Sequence, residues 1–270
     1  FELEEEMRQA SAKASKPPRA AQGSVADASR PSRAVGAQNV VFRREVDLRP
    51  LYFEHNLHTK DQGLRPSCSI FAVVSALELE EARNGRKAVP LSEEFLIWAT
   101  RQLHPDIPIN DGYHFNEVIS ALQTYGVAPH RLVPNTFGRS IEEIKPGDEA
   151  IEAARQHRDV VTQWFRPDNP HLLERIVEAL NREKPVIVGV RWPAARTVAR
   201  SPLLSNQAPL ENGGHAVTLI GYRSPSGRAD DTTFIFRNSF GSEWGVAGCG
   251  FMTAEYLQKH LITALSLDLP

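Results

Sequence analysis

The stretch that decides the fold is "DQGLRPSCSIFAVVSALELEEARNG", residues 61–85, in which a turn-rich segment leads directly into a helical pattern. Apolar residues recur three and four positions apart from Ile70 to Leu77, and Asn84-Gly85 ends the run. The pattern predicts a helix that begins near Cys68, with Ser67 as its N-cap. A cysteine is therefore placed where a turn meets a helix.

Cys68 at this junction has two interpretations. A free cysteine is most often a small residue packed in a core. In the first turn of a helix, however, unpaired backbone N–H groups and the helix dipole stabilise a thiolate and lower the pKa of the thiol. The position suits a nucleophile, and other residues of the chain must supply its base.

Composition places limits on the class of protein. The 270 residues are 41% hydrophobic, which is enough for one large domain or two small ones. A balance of 31 Lys and Arg against 33 Asp and Glu predicts no nucleic-acid partner and no attraction to a membrane. No stretch has the apolar length of a transmembrane helix. Because the chain opens with Phe1 and lacks a signal pattern, we expect a trimmed form or a fragment of a longer product.

The beginning of the chain differs from the rest. Residues 8–39 are rich in Ala, Ser, Pro, Arg and Gly and have no sustained apolar period. This composition predicts an N-terminal arm or pro-segment-like linker over residues 1–40, followed by one folded domain over residues 41–270.

Within that domain, helical patterns come first and strand patterns later. Besides the helix that begins near Cys68, helices are predicted at 92–103, 116–126 and 172–180, and strands at 185–190, 215–222 and 232–240. Asn116 is a candidate N-cap and Gly126 a stop signal. Helices followed by strands without regular alternation predict an α+β architecture of two packed lobes.

The strand half offers a geometric test of the catalytic interpretation. His215 begins one predicted strand, Asn238 ends another, and "SPSGR" at 224–228 forms the turn between them. If the hairpin turns between Ser226 and Gly227, His215 lies directly opposite Asn238. Opposed residues of an antiparallel pair are close enough for an amide to hydrogen-bond an imidazole, although a shift of one residue turns one of them away.

Together these residues form a catalytic set of thiol, imidazole and orienting amide. Gln62, six residues before Cys68, can bring its side-chain NH₂ near the Cys68 backbone N–H, and two such donors form an oxyanion hole. Each residue alone also fits an ordinary structural role. His215 and Asn238 are equally typical of paired polar groups at strand ends, and Gln62 of a solvated turn.

The sequence resembles papain-like cysteine peptidases in several blocks that follow the family's order, and it is most similar to compact bacterial members. The blocks are "VDLRP" (46–50), "DQGLRPSCSIFAVVSALE" (61–78), "PLSEEFL" (90–96), "GGHAVTLIGY" (213–222) and "RNSFGSEWGVAGCGFM" (237–252). The resemblance implies a helical N-terminal lobe, an antiparallel β-rich C-terminal lobe and an active site in the cleft between them.

The resemblance also implies roles for particular residues. Cys68 corresponds to the nucleophile, His215 to the general base and acid, Asn238 to the residue that orients His215, and Gln62 to the oxyanion donor. The residues implied to bind substrate are Gly112, Tyr113, Ala216 and Trp244. No metal and no cofactor are implied.

The sequence departs from the family pattern beside the nucleophile. Arg65 and Pro66 stand where the pattern has Cys and Gly, so the family's disulfide at this place is missing. Ser69 replaces the aromatic residue that follows the nucleophile, and Phe240 replaces the Trp that follows Asn-Ser. "DGYHF" at 111–115 replaces the Gly-Gly segment that binds substrate backbone, which puts the subsite geometry in doubt more than the chemistry.

The chain has two cysteines, and a catalytic Cys68 leaves no pair for a disulfide. This favours a reducing compartment without excluding export. Cys249, which replaces an aromatic residue of the family pattern, is expected to be a small packed thiol.

The leading interpretation is an endopeptidase that hydrolyses a peptide or protein substrate through a thioester. A transpeptidase, an aminopeptidase or a processing protease dedicated to one partner can use the same triad. An inactive papain-like binding module is a third class, which the presence of Cys68, His215 and Asn238 disfavours. The N-terminal arm is expected to lie in the cleft and regulate access, with Arg43-Arg44 as a site for its removal.

Overall fold

The computed structural model describes residues 40–85, 88–135 and 140–270. The predicted arm at 1–40 therefore lies outside the described residues except for Val40. The described helices are α1 (Arg49–Glu54), α2 (Cys68–Arg83), α3 (Glu93–Leu103), α4 (Phe115–Tyr125), α5 (Asp148–Ala154), α6 (Leu172–Asn181), α7 (Ala195–Arg200) and α8 (Ala254–His260). The strands are β1 (Glu45–Asp47), β2 (Val161–Phe165), β3 (Val186–Pro193), β4 (Leu203–Leu204), β5 (Pro209–Arg223), β6 (Thr233–Arg237), β7 (Cys249–Thr253) and β8 (Leu261–Asp268).

Helix α2 is the central helix and confirms the predicted bounds. It begins at Cys68 with Ser67 at the N-cap position, and it ends before Gly85, whose φ of 69° suits a residue without a Cβ. Ser67 does not cap through its side chain, since its Oγ has no hydrogen-bond partner among the described residues. Most of the helix is buried because it lies between the other helices and the sheet.

Helices α3 and α4 pack beside α2 in the helical lobe. The Oγ atom of Ser92 accepts a hydrogen bond of 3.0 Å from the Phe95 backbone and caps α3. The prediction that Asn116 caps α4 is wrong, because the helix begins one residue earlier with His114 at the N-cap position. Gly126 stops α4 as predicted.

The strands form one sheet in the order β2-β8-β3-β5-β6-β7-β4, with β1 paired to β5. All pairs are antiparallel except β4 with β7. Strands β2 and β8 were not predicted from the sequence. Since β8 lies between β2 and β3, the C-terminal segment is an interior part of the sheet.

The predicted register of the β5–β6 hairpin is wrong. Strand β5 begins at Pro209 rather than at His215, and Thr218 is the partner of Arg237. The connection between the strands, residues 224–232, is longer than the predicted turn and sets the pairing of Arg223 with Thr233, and a bulge between Leu219 and Gly221 then shifts the register by one residue.

His215 is positioned by the turn of this hairpin and by β3, the strand on the other side of β5. Gly227 has a φ of 72°, as the turn prediction requires, and its N–H donates to the carbonyl of Ser224 at 3.0 Å. On the other side of β5, His215 pairs with Val190 of β3. His215 thus lies inside the sheet, and Asn238 comes directly after the end of β6.

Two apolar cores confirm the predicted α+β fold. One lies among α2, α3, α4 and α5, and the other packs α1, α6 and α8 against the sheet. Among the residues that the structure describes, no helix combines the length and the apolar character that crossing a bilayer requires.

Candidate active site

The cleft between the helices and the sheet brings the predicted catalytic residues together. Cys68 and His215 both line a cavity of about 400 Å³. His215 and Gln62 line a second cavity, of about 370 Å³. Asn238 follows β6 and contacts His215 from the sheet side.

The hydrogen bond between His215 and Asn238 fixes the state of the imidazole. His215 Nε2 lies 2.7 Å from Asn238 Oδ1, and the same oxygen accepts a hydrogen bond of 2.9 Å from the Ser239 backbone. Because a backbone N–H can only donate, this atom is the amide oxygen and Nε2 carries the imidazole proton. Nδ1 of a neutral His215 is then left with a lone pair.

This contact forms although the predicted register is wrong. If the pairing of Thr218 with Arg237 is continued by one residue, Asn238 lies opposite Val217. Val217 is two residues from His215 and on the same face of the strand, so His215 and Asn238 are diagonal neighbours. The side chains of His215 and Asn238 are long enough to reach each other across this diagonal.

Aromatic rings surround His215 and exclude water from its hydrogen bond. The Phe240 ring stacks on the imidazole with centroids 4.8 Å apart, and Trp192 lies 4.5 Å away. Trp244 packs edge-on against Phe240 at 5.7 Å. Trp192 was not predicted from the sequence, because its place beside His215 follows from the pairing of β3 with β5.

Burial shifts the pKa of both the predicted nucleophile and the predicted base. It lowers the pKa of His215 to about 4, against the opposite effect of the hydrogen bond to Asn238. Burial also raises the pKa of the Cys68 thiol, although the backbone N–H groups of Ala216, Ser69 and Cys68 act to lower it. The expectation of a lowered thiol pKa at the helix N-terminus is therefore wrong, because desolvation outweighs the N–H groups.

Gln62 is held in place by contacts to the loop before α2 and to Ser239, which follows β6. Its Nε2 donates to the carbonyl of Arg65 at 2.8 Å, and its Oε1 accepts from Ser239 Oγ at 2.5 Å. Its backbone N–H also donates to the carbonyl of Ser239. Since an amide NH₂ has two hydrogens, Gln62 keeps a second donor.

An ion pair of Arg65 fixes the same loop. Arg65 stands at the position where the family pattern has a cysteine. The Arg65 guanidinium binds both carboxylate oxygens of Glu94 and also donates to Asn135 Oδ1 at 3.0 Å. Asn135 Nδ2 in turn donates to the carbonyl of Asp61 at 2.9 Å. Glu94 is buried, so the pair connects the loop before α2 to the first turn of α3.

The residues expected to contact substrate all line the cleft. Gly112, Tyr113 and Ala216 line the 400 Å³ cavity that contains Cys68. Trp244 lines the 370 Å³ cavity on the other side of His215. The structure thus distributes the four residues over both cavities.

The second thiol is separate from this site. Cys249 is buried at the start of β7 and lines neither of the cavities that contain His215. In the part of the chain that the structure describes, no group of three His, Cys, Asp or Glu side chains is arranged to hold a metal ion.

The family model of papain family cysteine protease matches residues 43–263 of the chain. An uncharacterised peptidase C1-like protein of Acanthamoeba polyphaga mimivirus is 28% identical over 212 residues, which cover 73% of this chain and 64% of that protein. Cathepsin K of Gallus gallus is 27% identical over 191 residues, or 70% of this chain and 53% of that protein. The matched region thus spans between about half and two thirds of the length of these relatives.

Solved structures share the fold. Xylellain, a cysteine protease from Xylella fastidiosa, has a TM-score of 0.69 and 20% identity over 85% of this chain and 87% of that chain. Procathepsin L 3 of the Tenebrio molitor larval midgut has a TM-score of 0.62 and 17% identity, covering 98% and 79%. The Carica candamarcensis cysteine protease CMS1MS2, in complex with E-64, has a TM-score of 0.62 and 18% identity, covering 84% and 99%. The chain therefore belongs to the papain family of cysteine proteases.

Proposed function

We propose that the protein is a cysteine endopeptidase that cleaves peptide bonds through a thioester acyl-enzyme. The observation that carries this proposal is the 2.7 Å hydrogen bond from His215 Nε2 to Asn238 Oδ1, made by a histidine that shares a cavity with Cys68. With Nε2 held by Asn238, Nδ1 is the nitrogen available to the Cys68 thiol.

The first half of the reaction forms the thioester. Sγ of Cys68 attacks the carbonyl carbon of the substrate while His215 Nδ1 takes the thiol proton. A buried His215 with a pKa of about 4 is neutral near neutral pH and can accept that proton. When the tetrahedral intermediate collapses, the C–N bond breaks and His215 gives the proton to the departing amine.

The negative oxygen of the intermediate needs hydrogen-bond donors that are already in place. The backbone N–H of Cys68, at the start of α2, is one donor, and the second N–H of Gln62 is the other. The bond from Gln62 Oε1 to Ser239 keeps the amide from rotating its oxygen toward the substrate. The oxyanion is thus stabilised with little reorganisation.

Hydrolysis of the thioester completes the cycle. His215 takes a proton from a water molecule, whose oxygen attacks the thioester carbonyl, and the C–S bond then breaks. The carboxylic acid leaves, and the proton held by His215 returns to the Cys68 sulfur. Bonds and protons balance over the cycle without a metal or a redox step.

Open space on both sides of His215 supports an endopeptidase. Cavities of about 400 and 370 Å³ share Gly214 and His215 as lining residues, so chain can extend from the reacting carbonyl in both directions. We assign substrate contacts to Gly112, Tyr113 and Ala216 in the first cavity, and to Trp244 in the second.

Covalent labelling and peptide cleavage test this function together. The wild-type protein is expected to gain the mass of one E-64 molecule at Cys68 and to cleave peptides blocked at both ends within the chain. Cys68→Ala should lose the label and the cleavage, while Cys249→Ala should keep both. Cleavage by purified Cys68→Ala, or removal of terminal residues alone, would contradict the endopeptidase assignment.

We also propose that residues 1–40 regulate access to the cleft, although this segment lies outside the described residues. Arg43 and Arg44 are exposed at the start of the described domain, which suits removal of the arm there. The structurally similar procathepsin L 3 is, by its name, a precursor. The test compares kcat/KM of the full chain with that of a chain starting at Arg44, with the arm then added in trans. Equal rates and no inhibition by the added arm would overturn this proposal.

A further inference from the structure

A small cavity lies next to the hydrogen-bonded amide of Asn238 and is separate from the two large cavities of the cleft. Its volume is about 20 Å³, and Asn238, Ser239, Ser75, Lys60 and Glu93 are among the residues that line it. A site of this volume holds one water molecule if enough polar groups face it. The cavity therefore lies between Asn238, on the sheet side of the site, and Glu93, in the first turn of α3.

Two buried polar atoms on residues that line this cavity have no hydrogen-bond partner among the described residues. They are Nδ2 of Asn238 and Oε2 of Glu93, whose residues are 5% and 1% exposed. One atom is a donor and the other an acceptor, so a single water molecule can satisfy both. Leaving a buried polar group unpaired is unfavourable, which favours a bridging molecule.

We propose that one water molecule in this cavity bridges Asn238 Nδ2 to Glu93 Oε2, which makes Glu93 a positioning residue for the catalytic site. The inference rests on the proposed roles of His215 and Asn238. The water accepts a hydrogen bond from Nδ2 and donates one to Oε2. This chain holds Asn238 with its oxygen toward His215, and the orientation of Asn238 selects the imidazole tautomer that leaves Nδ1 free.

The charges around Glu93 suit this role. Lys60 Nζ lies 2.6 Å from Glu78 Oε1 and 2.6 Å from Glu93 Oε1, so one ammonium serves two carboxylates. Glu78 also accepts a backbone hydrogen bond from Leu91, whereas the second oxygen of Glu93 is free to accept from a water. Both carboxylates line the cavity, and Glu93 is the one whose second oxygen has no partner among the described residues.

Glu93 is also the group of this cluster whose protonation responds to pH near neutrality. Burial and the neighbouring Glu78 raise its pKa to about 7, and Lys60 opposes that rise. Arg237 lines the same cavity, and His130 lies within the field of Lys60 and Glu78. These are the charged and titratable groups that a pH profile of the site has to take into account.

Glu93→Gln is the decisive variant because it reverses one end of the hydrogen-bond chain. The glutamine oxygen is needed by Lys60, so its NH₂ takes the place of Oε2 and becomes a donor. The water then loses its acceptor at this end, which weakens its hold on Nδ2 and allows the amide of Asn238 to flip more often, with Nδ2 toward His215. We expect kcat to fall about tenfold, since the flip competes with a single hydrogen-bond chain, while KM changes less than about twofold.

Glu78→Gln is the matched control, because it removes a carboxylate from Lys60 and from the lining of the same cavity while Oε2 of Glu93 stays in place. It should lower kcat less than about threefold. Thermal unfolding of both variants checks that they are folded. Should Glu93→Gln fail to fold, Glu93→Asp keeps the charge, withdraws the oxygen from the cavity and should lower kcat in the same way.

A double-mutant cycle separates positioning from a general structural effect. In the Asn238→Ala background, Glu93→Gln should produce no further loss of kcat, because the amide that it acts through is gone. Equal effects of Glu93→Gln and Glu78→Gln, or full additivity with Asn238→Ala, would overturn the inference. Loss of the Cys68 dependence of cleavage would instead overturn the proposed function, so the two failures are distinguishable.

Discussion

The two walls of the cleft hold the proposed nucleophile and the proposed base in different ways. On the helical wall, Cys68 is surrounded by backbone N–H groups, and the loop before it is fixed by the Arg65–Glu94 ion pair. On the sheet wall, His215 is held by side chains, namely the amide of Asn238 and the aromatic rings around it. The helical wall thus depends on charge pairing, and the sheet wall on burial.

This difference means that the two walls should respond to different perturbations. Breaking a buried ion pair leaves a charge without a partner, so the helical wall is sensitive to loss of Arg65. A buried neutral imidazole is penalised when it must carry a charge, so the sheet wall is sensitive to acid. Variants of each wall can therefore be compared with each other.

Removing either reacting group should have the largest effect and should erase the difference between the walls. Cys68→Ser and His215→Ala are each expected to lower kcat/KM by about 10⁴-fold or more, because nucleophile and base act as one unit. Cleavage of a blocked peptide is the measurement, and the double variant should be no worse than either single one. Near-normal turnover by either purified variant would refute the assignment.

Breaking the ion pair of the helical wall should have the next largest effect, now on stability. Arg65→Met is expected to lower the free energy of unfolding by about 3–5 kcal/mol, because Glu94 is left buried and unpaired. Urea unfolding measures it, and Arg166→Met, which breaks the exposed pair with Asp168, is the control and should leave stability almost unchanged. Equal effects of the two variants would contradict the proposed role of the loop anchor.

Acid should affect the sheet wall through His215. With a folded pKa of about 4 against an ordinary value of 6.5, the unfolded state binds more protons between these pH values, so stability falls as pH decreases. The contribution is about 3 kcal/mol. Measured as the difference between wild type and His215→Ala in urea unfolding, it should be lost from pH 7 to pH 4. Parallel pH profiles for the two proteins would show that His215 titrates normally.

Removing the side-chain oxyanion donor should have a smaller effect on rate than removing a reacting group. Gln62→Ala is expected to lower kcat about 10²-fold, the usual cost of one such donor. Ser239→Ala removes only the hydroxyl that holds Gln62 Oε1, so its effect should be clearly smaller. If the two variants lost equal activity, Gln62 would act through packing rather than through its second N–H.

The smallest effect is expected for the thiol of the sheet. Cys249→Ala replaces a buried thiol by a methyl group and should change the free energy of unfolding by about 1 kcal/mol or less. Labelling of Cys68 should stay complete in this variant, as measured by mass spectrometry. Loss of the label in a folded Cys249→Ala protein would mean that the wrong thiol was assigned.

The helical wall was predictable because its signals are local. The bounds of α2 follow from the apolar spacing after Cys68 and from Asn84-Gly85, which lie within one short stretch. What the local pattern could not indicate was the sign of the thiol pKa shift. That sign depends on how deeply the sheet buries Cys68, and this is a tertiary property.

The sheet wall was predictable in its residues but not in its register. His215 and Asn238 do contact each other, yet the length of the connection after Arg223 and the bulge between Leu219 and Gly221 are set by the folded sheet rather than by the pattern of either strand. Glu93 was not a candidate for the same reason. Its place beside Asn238 arises only when Lys60 and α3 pack against the sheet.

The Arg65–Glu94 pair has a consequence for the redox behaviour of the site. A catalytic thiol that oxidises to a sulfenic acid or a mixed disulfide is restored by thiol reductants, and the same reductants open a structural disulfide. Here the loop beside Cys68 is anchored by charges, and both cysteines of the chain are free. A reductant can therefore restore an oxidised Cys68 without breaking the contacts that hold the loop of Gln62. Recovery of the thiol and integrity of this loop are chemically independent.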